Sequence, residues 1–235
     1  MGEGWQLFKI IGIPLRIQPT WLFAVAIFTT LFQPRYAASV EPAALSWGLA
    51  LLTTLLLFTS VLLHELGHAL MALREGVKVV SITLFHLGGI ARVEKECPTA
   101  MGNLRIAAAG PLVSLTLALG MLLAAASLAT QQPQLTVLLT QVGLLNLMLG
   151  LFNLLPGLPL DGGLILKSLV WQASGSKKRG VEVASASGRV LATLMIVMGG
   201  VLLWQGAGMN GLLLMLIGWF GLGANRSESQ MLFLQ

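Results

Sequence analysis

The chain has 235 residues, 56% of them hydrophobic and only 10% charged, whereas soluble domains carry about a quarter charged residues. That balance excludes an ordinary soluble globular protein and points to an integral membrane protein that lives in a lipid bilayer. The net charge of +5 needs no nucleic-acid partner, because Lys and Arg gather on the cytoplasmic side of spanning helices.

The first apolar run, residues 19–33, follows Lys9 and Arg16 and reads as a first span. The alternative at this end is a cleaved signal peptide, with Ala37, Ala38 and Ser39 as a small-residue cleavage site. Further runs cover 43–73, 103–130, 135–155, 188–205 and 210–225, several of them near or above the roughly 20 residues that cross a bilayer. The predicted fold class is thus an all-α polytopic membrane protein, a single 1–235 core of six transmembrane helices. With both termini inside, every Lys and Arg except Arg35 falls on the cytoplasmic side, the bias that such residues show. The tract Lys177, Lys178 and Arg179 is then a topology signal beside anionic headgroups.

The second run contains HELGH, residues 64–68. Ionisable side chains at the centre of a bilayer cost roughly 2.5 to 3.5 kcal/mol each even on lenient scales, so a cluster of three needs a compensating role. Metal binding supplies one. On a helix His64 and His68, four apart, project from one face and suit two nitrogens on one zinc ion. Glu65 beside them is the candidate base that acts on water at the metal. At 1.5 Å per residue the motif sits about 8 to 14 Å from the cytoplasmic end of its span.

Residues 79–94, VVSITLFHLGGIARVE, are rich in β-formers and predict a short membrane-associated β-hairpin or sheet with Gly88 and Gly89 at its turn. An exposed edge there offers strand addition to an extended substrate backbone, which makes Gly88 and Gly89 candidate substrate-binding residues; a purely structural hairpin is the alternative. His86, next to that turn, reads more readily as a structural polar group than as an oxyanion donor or gate. Cys97 is the single cysteine, so no internal disulfide exists.

The fourth run ends in FNLLPGLPLDGG, residues 152–163, with the chain's single aspartate, Asp161. Pro156, Pro159 and three glycines break the helix, and irregular backbone at membrane depth is tolerated only where protein or a water-filled cavity covers it. Asp161 is therefore the candidate third metal ligand, leaving a fourth position open on catalytic zinc; a role as helix N-cap is the alternative. Asn153, at the broken end of a span, is a candidate donor to substrate backbone, and Pro156 and Pro159 line the same segment. Glycines from Gly188 to Gly223 read as close helix packing in the last two spans, with a lateral gate as the functional alternative.

HELGH together with Asn153, Pro156, Pro159, Asp161 and Gly162 in the pattern N-x-x-P-x-x-P-x-D-G closely resembles the site-2 protease family of intramembrane zinc metalloproteases, in its prokaryotic six-helix form. The resemblance implies that His64, His68 and Asp161 hold one catalytic Zn2+, that Glu65 is the catalytic base and that Asn153 positions substrate. It also implies a membrane-spanning protein or peptide substrate in the bilayer of a prokaryotic cytoplasmic membrane, cleaved in regulated intramembrane proteolysis. Some relatives carry paired regulatory nucleotide-binding domains after the core; no regulatory domain is expected within 1–235, so a minimal member or a truncated core is expected here. One departure stands out: relatives often show G-P-x-x-N in the third span, where this chain has Gly110, Pro111 and Ser114.

A metal or proton transporter is the rival class, since intramembrane His and Asp beside a broken helix also describe an ion pathway. Glu65 discriminates, because a transporter has no need of a base between two ligand histidines. A zinc protease with a later glutamate as third ligand is excluded for want of one in a later span, Glu182 and Glu228 lying outside the apolar runs.

Overall fold

The computed structural model describes residues 4–38, 41–85 and 88–234. Its elements in order are β1 (Trp5–Ile10), β2 (Ile13–Ile17), α1 (Thr20–Ala37), α2 (Ala43–Arg74), β3 (Val79–Phe85), β4 (Gly88–Val93), α3 (Ala100–Leu128), α4 (Pro133–Asn153), α5 (Asp161–Ser174), α6 (Lys177–Trp204) and α7 (Gly208–Leu234). The chain forms two compact units, residues 1–95 with 109–151, and residues 96–108 with 152–235.

The first unit holds a four-stranded sheet in the order β1-β2-β3-β4. The pair β3–β4 was anticipated from its β-branched residues. The pair β1–β2 was not, and the sheet is larger than a hairpin for that reason. Its turn places Ile11 at φ 49° and Gly12 at φ 80°, two positive values that suit the right-handed twist of the flanking strands. The strands β2 and β3 run parallel through Leu15, Arg16 and Ile17 opposite Ile82, Thr83 and Leu84. Gly88 and Gly89 open β4, opposite Phe85 and Leu84, so they belong to a strand and not to its turn. His86 lies outside the described residues.

Along α2 a buried seam runs through Ser46, Ala50, Thr53, Ser60 and His64, spaced by three, four and seven as in coiled-coil packing. Its polar members cross to neighbours. Gln33 donates to Ser46 at 3.2 Å, Tyr36 and Thr53 hydroxyls lie 2.5 Å apart, and Asn146 on α4 donates to Ser60 at 2.9 Å. In lipid, interhelical hydrogen bonds and close packing of small residues hold helices together, since burial of apolar surface drives little there.

In the second unit, α5 ends at Gly175 in the left-handed conformation, φ 68°, which only glycine adopts freely. Ser176 then caps α6, its hydroxyl accepting from the Arg179 N–H. The helix α6 packs against α7 through glycines, and a Cβ on Gly199 would meet the Gly211 carbonyl at 2.6 Å.

Among the described residues five helices are long and apolar enough to cross a membrane: α2, α3, α4, α6 and α7. Only 17% to 39% of each apolar window is buried, so most of that surface needs lipid, and the protein is an integral membrane protein. The sixth expected span, 19–33, corresponds to α1, which has 18 residues and carries Gln33, Pro34 and Arg35 before its end at Ala37. It is not among the five, so the count of six stands as an expectation. Two spans are longer than expected: α6 takes in Lys177, Lys178 and Arg179, and α7 continues past residue 225.

Candidate metal centre

In the first unit the regular geometry of α2 sets the two histidines. The His64 and His68 Nε2 atoms face each other at 3.2 Å, with their rings crossed at 78°. Two imidazole nitrogens on one tetrahedral zinc, each 2.0–2.1 Å from the ion, stand about 3.3 Å apart. The pair therefore fits a shared zinc ion as it stands. His64 is 4% exposed, and its Nδ1 lies 2.9 Å from the Ser114 hydroxyl on α3. With Nδ1–H donating to Ser114, the Nε2 lone pair is left to a metal, which is how a partner on one ring nitrogen selects the other as ligand.

Gly110, one turn before Ser114 on α3, completes this half. A Cβ there would lie 2.7 Å from His64 Nε2 and closer still to His68 Nε2. Only hydrogen leaves room for the facing nitrogens. At the adjacent residues, a Cβ on Gly67 would strike the Ala109 carbonyl at 3.0 Å, so α2 and α3 approach at backbone distance.

Glu65 points to the sheet. Its Oε2 accepts from the Ala91 N–H at 3.0 Å, and a Cβ on Gly89 would meet its Cγ at 2.6 Å. Gly89 thus admits β4 against the carboxylate, and one backbone N–H of that strand orients it.

The second unit holds Asn153, Pro156, Pro159 and Asp161 on one short stretch. Asn153 is the last residue of α4 and Asp161 the first of α5. Between them the chain turns through single backbone bonds, Gly157 N to Leu155 O at 2.8 Å and Leu160 N to Gly157 O at 3.0 Å. Gly162 and Gly163 are pressed against the backbone of Leu154 and Gly157, so the double glycine lets the turn fold back on its own helix. The cap position is Leu160, without a side-chain cap bond. Asp161 sits instead in the first turn, where the helix dipole favours a carboxylate.

The Peptidase family M50 model matches residues 52–132 and 120–198, ranges that hold both motif segments. The chain belongs to peptidase family M50. Within that family it is similar to the Synechocystis protein sll0528, 39% identical over 94% of this chain and 58% of that one. It is also similar to the Methanocaldococcus jannaschii zinc metalloprotease MJ0392, 36% identical over 83% of this chain and 53% of that one. The chain thus spans a little over half the length of these curated relatives. A solved structure, the site-2 protease from Methanocaldococcus jannaschii, superposes with a TM-score of 0.64 at 34% identity, covering 96% of this chain and 94% of that one. The resemblance to site-2 proteases read from the two motifs therefore stands.

Several residues of this M50 chain escaped the sequence reading. Ser114 was noted there only as a departure from asparagine, and it partners His64. Gly110 and Ser114, four apart, share a face of α3 as His64 and His68 share one of α2, a spacing that could have paired them. Ser187 on α6 and Asn225 on α7 reach the segment before Asp161, Ser185 holds the Asn225 amide, and no local pattern marks them.

Proposed function

We propose that this protein is a zinc-dependent intramembrane endopeptidase that cleaves membrane-spanning proteins or peptides in regulated intramembrane proteolysis. The observation that carries the reading is the His64–His68 pair at zinc-ligand spacing on an apolar helix, with Glu65 beside it. His64, His68 and Asp161 are the ligands in this reading, two imidazoles and a carboxylate of the types catalytic zinc takes, and Asn153 donates to the substrate backbone. Zinc, when bound there, lowers the pKa of a coordinated water to about 7 and polarises a carbonyl as a Lewis acid.

The chain's own residues do the rest. The Glu65 carboxylate, held through Oε2 by the Ala91 N–H, takes the proton of the attacking water and returns it to the leaving amine. Ser114 keeps the His64 ring in the tautomer that presents Nε2. A spanning substrate must unwind before it is cleaved, and its freed backbone groups need protein partners, because lipid replaces none of the hydrogen bonds a helix gives up. Strand pairing along β4 would hold the unwound substrate extended, with Gly88 and Gly89 allowing close approach. The termini face the cytoplasm in this reading and the metal lies toward that side, as the distribution of Lys and Arg supports.

The test is zinc content and cleavage of a generic single-span substrate by the purified chain, wild type against Glu65→Gln. Glu65→Gln should keep its zinc and lose about 10²- to 10⁴-fold in rate, the usual worth of general acid–base catalysis. Full activity in that variant would overturn the assignment.

A further inference from the structure

We propose that Asn225 on α7 is the positioning residue of the Asp161 segment, fixing the metal-ligand carboxylate from 64 positions down the chain; the proposal rests on Asp161 being a ligand. Asn225 is fully buried, and polar side chains in membrane helices are retained for a use. Its amide is fully employed. Nδ2 donates to the Leu158 carbonyl at 2.9 Å and to the Ser185 carbonyl at 3.2 Å, while Oδ1 accepts from the Ser185 hydroxyl at 2.9 Å.

The bonds to Ser185 join α7 to α6 and are ordinary interhelical adhesion. The bond to Leu158 is different, because it reaches the broken segment. That segment satisfies only part of its own backbone, with Pro156 and Pro159 lacking N–H groups, and at membrane depth protein or a water-filled cavity must do the rest. The last two helices supply the partners: the Pro156 carbonyl accepts from Ser187, the Leu158 N–H reaches the Ala184 carbonyl at 3.4 Å, and the Leu158 carbonyl takes Asn225. Leu158 itself is 2% exposed, packed with Val181 and Ala184. Only two residues separate it from Asp161, and the ring of Pro159 locks one of the intervening torsions. Fixing the Leu158 carbonyl therefore fixes where Asp161 begins its helix.

Gly188 makes room for the clamp. A Cβ there would collide with Asn225 Nδ2 and stand 2.6 Å from the Leu158 carbonyl oxygen. Gly200, two turns or more along the same helix, has nothing within 4 Å of that position.

Zinc affinity of the full chain in detergent, measured by chelator competition, tests the proposal. Asn225→Ala should weaken zinc about 10- to 100-fold, the usual effect of losing an outer-shell partner. Gly188→Ala, which removes no hydrogen-bonding group, should do the same, and Gly200→Ala should match wild type. In the double variant Asp161→Ala with Asn225→Ala, the second change should add almost nothing to the first, since the clamp acts through that ligand. Additive losses, or wild-type zinc affinity in folded Asn225→Ala or Gly188→Ala, would reduce Asn225 to helix adhesion. Wild-type affinity in Asp161→Ala alone would instead overturn the ligand assignment beneath it.

Discussion

On α2, His64 and His68 take their separation from the helix itself, and the neighbours only refine it: Ser114 partners the His64 Nδ1 and Gly110 stays out of the way. Between α4 and α5 no regular element supplies spacing, so Asp161 depends on bonds that arrive from α6 and α7. The first region encodes its geometry locally and the second borrows it. Errors should accordingly be abrupt on α2 and α3, where there is no slack, and graded around the segment before Asp161, where several bonds share the load.

The sharpest break of that comparison is Gly110→Ala. Its added methyl has no course except between the two ring nitrogens, and the backbone contact of α2 with α3 leaves neither helix room to retreat. Zinc affinity should fall by more than the roughly 10- to 100-fold of outer-shell changes, with the helices still folded by circular dichroism. Wild-type zinc content in this variant would show that the α2–α3 contact yields, and the contrast with the second region would go with it.

A smaller effect comes from Ser114→Ala, which leaves the His64 ring in place but removes its partner on Nδ1. The expected loss in zinc affinity is about 10- to 100-fold. Ser114→Asn, which restores the residue that relatives often carry after G-P, should recover much of it through the side-chain carbonyl. Equal affinity in all three forms would mean that α2 alone orients the ring.

How much of this was legible in the sequence follows from the same contrast. HELGH announces itself because the two ligands lie on one helix face at a fixed spacing, and the apolar runs announce helices because length and hydropathy are local quantities. The Asn153–Gly162 motif was readable as a break in a span. What holds the break was not, since Asn225 and Leu158 are 67 positions apart and their pairing leaves no periodicity. The strands β1 and β2 were missed for a related reason. Trp5–Ile10 and Ile13–Ile17 are too short to stand out beside the spans, and β2 joins the sheet by a parallel pairing with β3, whose residues lie more than sixty positions on. Likewise the run 19–33 stops short of Arg35, whereas α1 continues through that residue to Ala37 and is not among the five long apolar helices.

The mildest test turns on an ion cluster in the second region. Glu96, just before α3, pairs with Lys167 of α5, and Lys177 at the start of α6 lies 2.6 Å from its other oxygen. Burial raises the Glu96 carboxyl, but the hydrogen bonds and charges of Lys167 and Lys177 outweigh it and hold the group below its ordinary value of 4.5. A carboxylate held lower in the folded state contributes stability that is complete above its unfolded value and is lost as the pH falls through the folded one. Lys167 is 1% exposed, so protonating Glu96 leaves a buried ammonium without its counter-charge, and α5 should loosen first. Amide exchange, corrected for intrinsic rates, should then show Asp161–Ser174 losing protection below about pH 4.5 while Ala43–Arg74 keeps its own. Glu96→Gln should abolish that acid step and lower the protection of α5 at neutral pH, because the amide accepts hydrogen bonds but carries no charge. Matching acid profiles for α5 in wild type and Glu96→Gln would show that the cluster does not secure this helix, and that the hydrogen bonds from α6 and α7 carry the borrowed geometry alone.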